Sequence, residues 1–157
     1  MLFHLSIAAR DPQHVATVIA EFWRGEAMPF PPVTPGSWIA MAGDDRGTAV
    51  EVYPLGTVLR EAEGDADSFG ERTEQTGYSA THAAIATVLS EAEVKAIAAR
   101  EGWPAKYRKR GGAFGVIELW IEGRQMVELL TSDMQAEYLA TMAADRYRAM
   151  FPEQATA

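Results

Sequence analysis

Apolar residues recur along this chain in two rhythms, and the switches between them outline its elements. Residues 2 to 8 alternate, with Phe3, Leu5 and Ile7 on one side and His4, Ser6 and Ala8 on the other, which predicts a strand. Asp11 reads as an N-cap with Pro12 at the first helical position. Val15, Val18, Ile19, Phe22 and Trp23 then follow at helical spacing to a stop at Gly25. The four prolines of PFPPVTPG (29 to 36) allow only a loop or a short edge strand. SWIAMA (37 to 42) and TAVEVY (48 to 53) predict strands joined by the turn-rich GDDRG. Residues 60 to 77 are polar and acidic with no sustained apolar pattern, and a linker or loop is expected there.

After residue 79 the plan starts again. ATHAAIAT (80 to 87) reads as a strand, and Ser90 followed by Glu93 is a capping-box signature. Val94, Ile97 and Ala98 continue a helix to Gly102, with Trp103 just beyond. A short strand is expected near residues 105 to 108, and FGVIELWIEGRQMVELL reads as a hairpin turning at Glu122-Gly123. Residues 133 to 151 predict a last amphipathic helix with Met134, Tyr138, Leu139, Met142 and Met150 as its stripe.

The halves superpose as sequence. FHLSIAA (3 to 9) matches THAAIAT (81 to 87), AVEVY (49 to 53) matches MVELL (126 to 130), and Trp23 and Trp103 fall at like places. From His4 to Glu51 is 47 positions and from His82 to Glu128 is 46. The expected fold is α+β: two βαβββ modules forming a curved eight-stranded mixed sheet around a cleft, plus a C-terminal helix. The boundaries are 1–59 for the first module, 60–79 for the acidic linker, 80–132 for the second module and 133–157 for the helix and tail.

The repeat carries chemistry. Glu51 stands between Val50 and Val52, and Glu128 between Val127 and Leu129. A carboxylate removed from water costs several kcal/mol unless a cation or donors meet it. Helices covering the apolar faces would turn His4, Glu51, His82 and Glu128 toward the opposite face, where two imidazoles and two carboxylates suit a divalent metal. The chain has no cysteine, so zinc, nickel, manganese, cobalt or iron(II) would be held by nitrogen and oxygen alone. The net charge of -8 argues against nucleic acid and against an anionic membrane surface. No apolar run is long enough to span a bilayer and the N-terminus has no basic leader, so a cytoplasmic protein is expected.

Two βαβββ units with His in each first strand and Glu in each last resemble the vicinal oxygen chelate superfamily over roughly residues 1 to 132. The superfamily includes glyoxalase I, extradiol dioxygenases and the fosfomycin- and bleomycin-resistance proteins. The ligand pattern resembles bacterial-type glyoxalase I, although WIEGRQMVE lacks the DP-x-G turn common before the final Glu. The resemblance implies a metal held by His4, Glu51, His82 and Glu128, from one chain or across a homodimer. It further implies an enediolate-like intermediate, with Glu51 or Glu128 as catalytic proton carrier. The expected function is therefore a metal-dependent isomerase or lyase acting on a small metabolite with vicinal oxygens. The alternatives are a non-enzymatic binding or resistance protein and an iron(II) dioxygenase. Tyr53, on the face of Glu51, and Arg108, within the basic KYRKR (106 to 110), are expected to line the substrate pocket. KYRKR also reads as a charge-protected edge strand, EAEGDAD (61 to 67) as a solvated linker, His14 as a surface residue, and Trp38 and Trp120 as core.

Overall fold

In the computed structural model, residues 4–30, 34–45, 47–60, 69–74 and 81–142 are described. The first module runs β1 (His4–Ala9), α1 (Pro12–Trp23), β2 (Glu26–Pro29), β3 (Trp38–Met41) and β4 (Ala49–Pro54). A hairpin follows, β5 (Thr57–Arg60) with β6 (Phe69–Arg72). The second module runs β7 (Ala83–Ala86), α2 (Glu91–Glu101), β8 (Ala105–Arg110), β9 (Phe114–Ile121) and β10 (Gln125–Leu130), and α3 (Ser132–Thr141) comes last. Each module forms a mixed four-stranded sheet of the same order, β1-β4-β3-β2 and β7-β10-β9-β8, with one parallel pair in each. The eight module strands thus make two sheets of four rather than one continuous ladder, and β1 and β7 are each an outer strand.

Local chemistry accounts for the helix ends. The Asp11 side chain accepts from the His14 N–H, and Pro12 fills a position whose missing N–H costs nothing. Ser90 and Glu93 form the reciprocal capping box, and Gly102 closes α2 in the left-handed region. α1 closes one residue earlier than expected, on Arg24 at φ 55°. Gly25 serves instead as a close approach, because a Cβ there would lie 2.0 Å from the Met41 carbonyl oxygen.

The modules share one core. Val15, Ile19 and Phe22 of α1, Val94 and Ile97 of α2, and Ile117, Leu119 and Leu129 of the second sheet belong to the same buried cluster. The seam between modules is also hydrogen-bonded. Arg100 grips Glu21 at 3.1 and 2.7 Å, and His14 Nε2 meets Glu101 at 2.7 Å. Trp23 Nε1 donates to the Ala86 carbonyl at 2.8 Å, and Thr87 Oγ1 to that of Phe22 at 2.6 Å. Glu122 adopts φ 51°, unusual for a residue with a Cβ, and its carboxylate accepts from the Arg10 and Asp11 N–H groups across the seam.

Three expectations change. The described part of 60–77 contains β6, whose polar FGER gives no apolar alternation; EAEGDAD lies outside the described residues. The helical stripe of α3 is only partly buried. Met134 is buried and Tyr138 stacks edge-on against Phe114, but Leu139 is 72% exposed and Met142 is the exposed C-cap. Met150 lies outside the described residues. Trp120 is half-buried on the face opposite the core, not within the core. No helix among the described residues is long and apolar enough to cross a membrane.

Candidate functional site

Strand register decides which side chains meet. Ser6 pairs with Glu51, and His4 sits one full period before it opposite Ala49, so the three share the face opposite Val50 and Val52. Glu51 is 9% exposed. Ser6 Oγ donates to its Oε2 at 2.8 Å, and the Tyr53 hydroxyl donates to the same oxygen at 2.7 Å. Its other oxygen, Oε1, faces His4 Nε2 at 3.8 Å. Burial first, and the bond to Glu51 second, push the Tyr53 hydroxyl up to about 12, so it remains a donor.

The second module repeats the frame with different partners. Glu128 pairs with Ala84 on one side and Glu118 on the other, and it is 8% exposed. Ala84 replaces Ser6 and offers no hydroxyl. The donors come from β8 instead: Arg110 Nε lies 2.9 Å and Nη2 2.5 Å from Glu128 Oε1. Arg110 Nη2 also reaches Glu118 Oε2 at 3.0 Å, and the Trp120 indole N–H donates to Glu118 Oε1 at 3.0 Å. That indole bond, followed by Arg110, holds the Glu118 carboxyl below its ordinary range, and the bond to Glu128 pushes the Arg110 guanidinium up.

His4 and Glu51 therefore stand together, whereas Glu128 is paired with a cation from its own sheet. His82 is exposed just before β7. Among the described residues no three His, Asp or Glu side chains lie close enough to hold one metal ion. The fit to a metal is that of a half-set: an imidazole nitrogen and a carboxylate oxygen in the first module. Tyr53 is buried and committed to Glu51, and Arg108 is half-exposed with its Nε 3.9 Å from Glu118. A cavity of about 710 Å³ opens between the outer strands of the two sheets, lined by His4 and Leu5, by Ala83 and Ile85, and by Trp23. Ser6, Arg110, Glu118 and Trp120 were not among the expected site residues, and Trp120 was expected in the core. Ser6 shares the period-two face of His4, and Arg110 closes the basic run, so both left a trace.

No protein-family model and no curated protein matches the sequence. Solved structures do match. The fosfomycin resistance protein FosX from Mesorhizobium loti superposes with a TM-score of 0.52 at 14% identity, covering 87% of this chain and 95% of that one. FosX from Listeria monocytogenes gives 0.53 at 14%, covering 87% and 97%. Lactoylglutathione lyase from Agrobacterium tumefaciens gives 0.52 at 11%, covering 85% and 94%. The chain shares the fold of these proteins. Within that fold the equivalent β4 and β10 each carry a buried glutamate, held by hydroxyls in one module and by a guanidinium in the other.

Proposed function

We propose that the chain is a divalent-metal-dependent isomerase or lyase for a small metabolite with neighbouring oxygens, and that its metal is held between two copies. His4 and Glu51 of one copy and His82 and Glu128 of the other would be the donors. One observation carries this reading: each buried glutamate is fastened through a single oxygen. Both donors to Glu51 fall on Oε2, and both contacts from Arg110 to Glu128 fall on Oε1. Each carboxylate thus keeps one oxygen for a further partner while its orientation is fixed. The seam supports a dimer as the source of the full donor set. Arg100, His14 and Glu122 lock the modules side by side, so a second copy is the simpler source of the missing donors.

A cation bound there supplies Lewis-acid stabilisation of the oxyanion that develops when a proton leaves a carbon beside a carbonyl. The chain's own part is to hold Glu51 Oε1 toward that cation, with Ser6 and Tyr53 preventing rotation of the carboxylate. A metal-free small-molecule binding protein is the second reading, favoured by the guanidinium already beside Glu128. Elemental analysis of untagged protein offered zinc, nickel, manganese, cobalt and iron(II) separates the two. Near-stoichiometric metal that is lost in His4→Ala and in Glu128→Ala is expected. Protein that stays metal-free with every ion overturns the proposal and leaves the binding reading.

A further inference from the structure

The second sheet carries a charge arrangement that the metal reading does not use. Lys106, Arg108 and Arg110 project from one face of β8, with Lys106 directly opposite Glu118 and Glu118 opposite Glu128. Three cations thus face two carboxylates. Glu118 is already taken, by the Trp120 indole on Oε1 and by Arg110 on Oε2, with Arg108 Nε at 3.9 Å. Arg110 is committed to both glutamates. Lys106 makes no ion pair among the described residues although a carboxylate lies across from it, so its charge is the spare one on this face. It lines a cavity of about 350 Å³ together with Pro104, Glu118, Trp120 and Gly123. An ammonium, an indole ring and a proline ring around one cavity match a monoanion with a flat or apolar body. A second negative charge would meet Glu118.

We infer that Lys106 and Trp120 form a subsite for the carboxylate end of a small monocarboxylic ligand. The inference rests on reading this face as the ligand-binding face, and it requires no metal. β10 and β8 are two strand spacings apart, about 10 Å. The carboxylate end therefore lies about that far from the part of the ligand that approaches Glu128, which sets the size of metabolite the site takes.

The test uses the full-length, metal-free protein, phenylacetate as probe and phenylacetamide as its neutral counterpart. The readout is the indole N–H resonance of Trp120, assigned by its disappearance in Trp120→Phe. Phenylacetate is expected to shift that resonance saturably, and the amide to bind about fivefold more weakly. Lys106→Gln is expected to weaken phenylacetate by a similar factor, whereas Lys106→Arg, which keeps the charge, retains binding. No saturable shift, equal binding of acid and amide, or unchanged binding by Lys106→Gln overturns the inference. Because metal is absent throughout, failure here leaves the metal reading standing, and failure of metal binding leaves this result interpretable.

Discussion

At the scale of single residues, the two glutamates occupy equivalent positions and are stabilised differently. Glu51 accepts from two neutral hydroxyls, whereas Glu128 meets a guanidinium. A hydrogen bond to a charged, buried group is worth more than one between neutral groups, about 1.5–3 kcal/mol. Tyr53→Phe is therefore expected to lower unfolding stability by about 1–2 kcal/mol in chemical denaturation, and by much less in a Glu51→Ala background, because the removed interaction no longer has its partner. Equal losses in both backgrounds would contradict the role assigned to the Tyr53 hydroxyl. The oddity of Glu51 was legible in the sequence as a polar residue inside an apolar run. Its donors were harder to find, since Ser6 lies 45 positions away and only the parallel register of β1 with β4 brings it opposite.

At the scale of elements, helices α1 and α2 hold the modules together through charged contacts over the shared core. Arg100 binds Glu21, and its hydrogen bond lowers the Glu21 carboxyl from its ordinary 4.5. Burial pushes Glu101 up, but the bonds from Arg100 and His14 outweigh it and the net shift is also downward. A carboxyl whose pKa is lower in the folded state binds fewer protons there than in the unfolded chain. Its stabilisation is fully present above about 4.5 and is lost as pH falls through the folded value. Thermal stability is thus expected to fall as pH drops from 5.5 toward 3, the midpoint decreasing on the order of a few degrees from this seam. Arg100→Gln should flatten that dependence; an unchanged slope would show that the seam does not couple to pH. Helices α1 and α2 were readable because their caps are local: Asp11-Pro12, Ser90 with Glu93, and Gly102 act within one turn. Strand β6 was not, because FGER is held by its pairing with β5 rather than by any pattern of its own.

At the scale of the whole molecule, the repeat of His4 and Glu51 in His82 and Glu128 made the two-module plan legible. The matching strand orders follow from it. What no repeat discloses is the relation between modules. That depends on Arg100, Trp23, Thr87 and Glu122 meeting partners far along the chain, and it places Glu51 and Glu128 in separate sheets. The ion pair of Arg110 with Glu128 was hidden for the same reason, since it joins β10 to β8 across the intervening β9. A metal shell shared between copies is open to a test by subunit mixing. His4→Ala/Glu51→Ala and His82→Ala/Glu128→Ala are each expected to bind no metal alone. Co-refolded, they should form mixed dimers in which one complete donor set is restored, and bound metal should reappear. Metal binding that stays absent in verified mixed dimers, while the unmutated protein binds metal, would contradict a shell shared between copies.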